Sequence, residues 1–132
     1  MLTLEKITKH YNPGSVNEMC LFDGFDFTVQ DGEFVSVVGS NGSGKTSLLN
    51  LICGSIGTDG GRILVNGEDI TRRQAYLRHR RIGRVYQDPS RGTCPSMTIL
   101  ENMSLADNKG RHYGLRKGFN NEKIACFREL VS

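Results

Sequence analysis

Between residues 33 and 54 the chain passes from a short β-branched run to a glycine-rich loop and then to an apolar helical pattern, and few folds accept that order. Glu33 to Val38 reads as a short, buried strand of the kind found inside parallel sheets. The eight residues Gly39-Ser40-Asn41-Gly42-Ser43-Gly44-Lys45-Thr46 match G-x-x-x-x-G-K-[ST] in full. A helix is predicted from about Lys45 to Cys53, with Leu48, Leu49 and Ile52 as its packed face and Gly54 to end it. Strand, loop and helix together are a β-loop-α unit.

The loop has the chemistry of a triphosphate site. A triphosphate is a dense cluster of negative charge, and inward-pointing backbone N–H groups of a tight loop donate to several of its oxygens at once. Such close approach favours residues without Cβ, hence Gly39, Gly42 and Gly44. The helix that follows adds its positive N-terminal end. Lys45 supplies a point charge for the β- and γ-phosphates. Thr46 offers a hydroxyl to Mg²⁺, and Ser47 a second hydroxyl near the α-phosphate. Guanine nucleotides are disfavoured: Asn108-Lys109 begins an N-K-x-D reader, but residue 111 is Arg. The reading is ATP with Mg²⁺.

The rest of the chain supplies a frame for that unit. Leu2, Leu4 and Ile7 roughly alternate with polar residues, a strand running to about Tyr11, and Asn12-Pro13-Gly14-Ser15 is a turn. Phe25, Phe27 and Val29 mark a second half-buried strand. Gly57 to Gly61 is a loop, Arg62 to Val65 a strand, and Asn66-Gly67 a tight turn. Thr71 to Arg81 is strongly basic and reads as a short helix with a solvated face, and Ile82 to Tyr86 as another strand. From Met97 the chain is helical, with Ile99, Leu100 and Met103 on one side. Asp107 to Gly118 is a polar linker, and a last helix is capped at Asn120 or Asn121. The class is mixed α/β.

Charge and apolar content exclude several alternatives. Lys and Arg total 17 against 14 Asp and Glu, a net charge of +3, too small a surplus to argue for nucleic acid. No apolar run approaches the ~20 residues of a membrane helix, and the N-terminus has no signal-peptide order. The expectation is a cytoplasmic chain that does not insert into the membrane. Cys20, Cys53, Cys94 and Cys126 form no zinc half-site and read as free thiols packed as small apolar residues.

Two further features point to one family. Tyr11 ends the first strand in Lys9-His10-Tyr11, and Gln87 ends a later one in Arg84-Val85-Tyr86-Gln87-Asp88-Pro89. With the loop at 39–46, the chain resembles the ATP-binding subunits of ABC transporters along essentially its whole length. Met97-Thr98-Ile99-Leu100-Glu101-Asn102 resembles that family's T-V-x-E-N helix start. The resemblance implies a P-loop fold of ABC type: an N-terminal antiparallel β subdomain and the loop core over residues 1–96, then the start of a helical subdomain over 97–132.

It also implies roles. Tyr11 stacks on adenine, the 39–46 loop with Ser47 holds the phosphates, and Gln87 reaches Mg²⁺ or the attacking water. Lys45 and Gln87 are the candidate catalytic residues, and Thr46 and Gln87 the candidate metal contacts. The segment around Gln87 faces a transmembrane permease, and a second ATPase subunit joins head to tail. The chain then sits at the inner face of the cell membrane.

The family's remaining parts do not occur in these 132 residues: no Leu-Ser-Gly-Gly-Gln signature, no second apolar strand ending in Asp-Glu and no switch histidine. Hydrolysis needs a group that activates or positions water. The expectation is therefore an N-terminal half, incomplete C-terminally, that binds ATP without completing hydrolysis and leaves apolar edges exposed. The alternative is a soluble ABC-type ATPase acting on nucleic acid or ribosomes. The short spacing from the loop to Gln87 favours transport. The segment from Leu105 to Phe119 bears some likeness to importers of aromatic amino acids and similar solutes.

Overall fold

Alternation of apolar and polar residues builds the first hairpin-like layer, and the first of its irregularities has a structural cause. The computed structural model describes residues 1–111 and 120–131. Strand β1 spans Leu2–Tyr11 and pairs antiparallel with β2, Met19–Val29. Leu4 and Ile7 are both fully buried although three residues apart, a spacing that breaks a period of two. The register slips between them, and Lys6 there has a φ of 50°. The slip is a β-bulge that returns Ile7 to the inner face. Asp26 holds it: its carboxylate accepts from the Lys6 amide at 2.8 Å and from the Lys6 ammonium at 2.8 Å.

On the other side of β1 lies β3, Gly60–Val65, also antiparallel, followed by the two-residue β4, Glu68–Asp69. The sheet order is β2-β1-β3-β4. Asn66 and Gly67, with φ of 51° and 77°, make the tight turn the sequence predicts. Gly61 sits opposite the bulge at φ 86°, where a Cβ would lie 2.4 Å from the carbonyl oxygens of Glu5 and Lys6. Only glycine fits there.

Helix α1, Lys45–Cys53, has the predicted bounds. It buries Leu48, Leu51 and Ile52 against Leu4, Ile7, Ile63 and Ile70 of the sheet layer. Leu48 and Ile52 of the predicted face are buried, but Leu49 is half exposed and Leu51 is fully buried in its stead. Gly54 ends the helix at φ 78°.

Three predicted elements do not form as expected. Residues 33–38 belong to no strand, and Phe34 and Val38 are 93% and 87% exposed. Residues 82–86 likewise form no strand, with Val85 97% exposed. Both runs have strand propensity, but a strand lowers its free energy only by pairing. All the strands among the described residues lie in the one antiparallel sheet, which does not include these runs. The basic segment is helical only over α2, Ala75–Arg78. The free thiols divide as well: Cys53 is buried, whereas Cys20 and Cys126 are exposed.

The chain divides into two units, Met1–Ile82 and Gly83–Ser132. In the second, Pro89–Arg91 forms a 3-10 turn, followed by α3, Ile99–Asp107, and α4, Asn121–Val131. Thr98 and Glu101 form a capping box at the start of α3. The Asn120 side chain accepts from the Lys123 amide at 2.9 Å, as the predicted cap requires. The two helices are joined by an ion pair between Lys123 and Asp107.

Candidate functional site

The loop at 39–44 takes its shape from its glycines. Gly42 and Gly44 have φ of 83° and 89°, in the left-handed region. Ser43 donates its amide to the Ser40 carbonyl at 3.2 Å, closing a turn, and Leu48 donates to Gly44 at 2.8 Å, opening α1. A Cβ on Gly44 would press on Leu21 of β2 at 3.1 Å, so the glycine also lets the loop lie close to the sheet.

The helix start is left open to an anion. The N-cap residue is Gly44, so no side chain caps α1 at that position, and its first turn contains no acidic residue. Its first amides thus present the positive end of the helix without an internal acceptor from a cap. Lys45 is at the same end, donating to the Gly39 and Ser40 carbonyls at 2.7 Å each and lying 3.4 Å from the Ser43 hydroxyl. Thr46 is exposed beside it. Amide donors, an ammonium and two hydroxyls are the donor set that suits a phosphate chain and a divalent cation.

Of the sequence-predicted residues, Tyr11 is brought to this end of the unit. Its hydroxyl is 3.5 Å from the Ser47 hydroxyl, at the outer limit of a hydrogen bond. The Lys9 ammonium lies 5.7 Å from the Tyr11 ring centroid. Asp59 fixes this strand end, a role that sequence reasoning missed. It accepts from the His10 amide at 2.7 Å and from Lys9 at 3.1 Å. The His10 amide first and the Lys9 ammonium second hold its carboxyl below the usual aspartate value. The only hint in the sequence was a lone acid inside a glycine-rich loop.

Gln87 belongs to the second unit and is exposed. Its neighbours make local contacts. The Tyr86 ring has the Arg84 guanidinium 4.6 Å and the Arg91 guanidinium 5.3 Å from its centroid. Asp88 caps the 3-10 turn, accepting from the Ser90 hydroxyl at 2.8 Å and its amide at 3.0 Å, and these bonds lower its pKa. Further along, Asn102 accepts from the Cys94 amide at 2.8 Å. It donates to the carbonyls of Cys94, Met97 and Thr98 at 3.1, 3.2 and 3.0 Å. The Thr-x-x-Glu-Asn run is thus a helix cap followed by a loop clamp.

Comparison with known proteins decides the family. The family model described as ABC transporter matches residues 22–129. The chain belongs to the ABC transporter ATP-binding family. Its fold is part of the ABC-type P-loop cassette. This ABC chain is 46% identical over 119 residues to the tyrosine transport ATP-binding protein of Clostridioides difficile, covering 89% of itself and 47% of that protein. It is 36% identical over 110 residues to the lipoprotein-releasing system ATP-binding protein LolD of Shewanella frigidimarina, covering 80% of itself and 44% of the relative. Among solved structures, it matches a dimeric, post-hydrolysis ATP-binding cassette bound to ADP and Pi with a TM-score of 0.77 at 26% identity. That match covers 99% of this ABC chain and 56% of the other. The chain therefore spans about half the length of these relatives. No helix among its described residues is long and apolar enough to cross a membrane.

Proposed function

We propose that this chain is the nucleotide-holding part of an ABC transporter ATPase, binding Mg·ATP at the Gly39–Ser47 loop. The single observation that carries the reading is the uncapped start of α1, with Lys45 and Thr46 at its positive end and a loop bent by left-handed Gly42 and Gly44. In this reading Ser40, Asn41, Ser43 and the glycines donate backbone N–H groups to phosphate oxygens, Lys45 neutralises the β- and γ-phosphates, and Thr46 takes part in holding Mg²⁺. Tyr11 stacks on adenine and Ser47 lies near the α-phosphate. Mg²⁺, when bound, would supply neutralisation of the phosphate charge.

Gln87 is the proposed link to Mg²⁺ or to the attacking water, in a segment that faces a membrane permease. In the whole protein, a second ATPase subunit joins head to tail and hydrolysis drives solute movement. Residues 1–132 by themselves bind ATP without turning it over. The place of action is the cytoplasmic face of the membrane. For the solute, support comes from the identity to the tyrosine-transport relative, 46% against 36% for the lipoprotein-releasing one. The reading is an importer of an aromatic amino acid or similar solute, with the choice made by the permease.

The test is Mg·ATP binding and phosphate release by this chain beside two variants. Lys45→Ala removes a charged hydrogen-bond donor, and a loss of about tenfold to a hundredfold in affinity is expected. Tyr11→Ala should cost about 1 kcal/mol or somewhat more, by analogy with base–aromatic stacking. Phosphate release that depends on Lys45 in the 132-residue chain would overturn the claim that it only binds.

A further inference from the structure

The basic run reads as a solvated face, yet Arg78 within it is only 3% exposed. Burying a guanidinium is costly unless its donors are all used. Here each of its three nitrogens donates to a main-chain carbonyl. One terminal nitrogen donates to Leu51 at 2.7 Å and Ile52 at 3.2 Å, in the last turn of α1. The other donates to Thr71 at 2.6 Å, and Nε donates to Arg73 at 2.9 Å. Burial lowers the pKa of the group, but an arginine stays charged in a protein.

We propose that Arg78 is a positioning residue for the nucleotide loop, fastening the far end of α1 to the segment that follows β4 so that the helix start keeps a fixed place. The inference rests on the ATP reading above. The charge is of the right sign for the negative end of a helix. It gives the Ile52 carbonyl, in the last turn of α1, a donor, and adds a second donor to the Leu51 carbonyl, which also accepts from the Gly54 amide at 3.2 Å. The site is also shaped for this one side chain. A Cβ on Gly54, at φ 78°, would lie 2.8 Å from the Arg78 Nε and 3.1 Å from its Cζ.

A nine-residue helix is about 13 Å long. A tilt of about 10° at its C-terminal end would therefore carry the other end about 2 Å. Binding groups must be held to about 0.5 Å. The contacts that matter for phosphate therefore depend on what holds the opposite end. Arg78 touches neither nucleotide nor reacting atoms and acts through α1.

The experiment compares wild type with Arg78→Met, Arg78→Lys and Gly54→Ala, each held well below its own unfolding midpoint. Affinities for Mg·ATP and for adenosine are measured together with hydrogen exchange of the amides over 42–48. Arg78→Met should bind Mg·ATP at least tenfold more weakly with adenosine affinity unchanged. Exchange over 42–48 should rise while β1 and β3 stay protected. Arg78→Lys should restore part of the loss, since it keeps the charge without the fork. A purely structural role would lower the midpoint and leave the ratio of the two affinities at its wild-type value.

If Arg78→Met does not fold, Arg78→Lys, which keeps the charge and loses the fork, decides the question. Folded variants with wild-type Mg·ATP affinity and unchanged exchange over 42–48 overturn the proposal. Wild type that binds no Mg·ATP overturns the ATP reading instead, and the exchange data then judge the fastening of α1 without reference to nucleotide.

Discussion

Two sets of β-prone residues behave differently in this molecule. Leu2–Tyr11, Met19–Val29 and Gly60–Val65 pair into a sheet and bury Leu4, Ile7 and Ile63 against α1. The run at 33–38 is at least as rich in valine, yet it lies open, and the run at 82–86 forms no strand, with Val85 exposed while Ile82 packs on the core. Propensity does not separate the two sets; pairing does. β1 finds an antiparallel neighbour on each side within the first 65 residues. The open runs have the composition of central parallel strands, which are buried on both faces by chain on either side. The first set carries the stability of the chain, and the second places Phe34, Val38 and Val85 in solvent.

The sharpest way to break this comparison is to damage the paired set. Ile63→Ala removes a fully buried side chain from the centre of the core. It should cost about 2–5 kcal/mol in urea unfolding. Gly61→Ala should cost about 1–3 kcal/mol through its left-handed φ alone. A further loss should come from its Cβ meeting two main-chain oxygens of β1 that cannot swing aside. If either variant unfolds at the wild-type midpoint, the antiparallel sheet is not what holds the chain together.

Much of the first unit was legible in the sequence because local signals agreed with the fold. Helix α1 had its apolar spacing and its terminal Gly54, and the Asn66-Gly67 turn had the residues its geometry demands. The phosphate loop was legible for a different reason: its glycines and lysine are set by chemistry at fixed spacing. What could not be read was long-range. The bulge at Lys6 depends on Asp26, twenty residues away, and Asp59 reaches back to His10. Arg78 looked like one more surface cation because nothing local says that its acceptors are the carbonyls of a helix some 26 residues earlier. Whether residues 33–38 become a strand was not a local question either. The polar linker expected from Asp107 to Gly118 extends into residues 112–119, which lie outside the described residues.

Smaller effects sharpen the comparison within the second unit, where order comes from caps and clamps. Thr98→Ala removes the α3 cap and should cost about 1 kcal/mol, read as helix lost by circular dichroism. Asp88 gives a pH test. Its carboxyl titrates below the ordinary value because Ser90 donates to the charged form. A lowered folded-state pKa means that the cap is at full strength above the ordinary value and is lost as pH falls through the lowered one. The Ser90 amide resonance should therefore hold steady from neutral pH down to about 4 and move only below it. Movement centred near pH 6 would assign the cap elsewhere.

The smallest effect is the most telling about the open runs. Phe34→Lys and Val38→Lys place a charge on side chains that are 93% and 87% exposed. In a paired, buried strand either change would unfold the chain, because an unpaired charge would enter the core. Here each should shift unfolding free energy by no more than about 0.5 kcal/mol. What should change is association. Exposed apolar surface drives chains together, so sedimentation at high concentration should show less self-association for the double variant than for wild type. A loss of several kcal/mol on Val38→Lys would mean that the run is already paired in solution, and the contrast between the two sets would collapse.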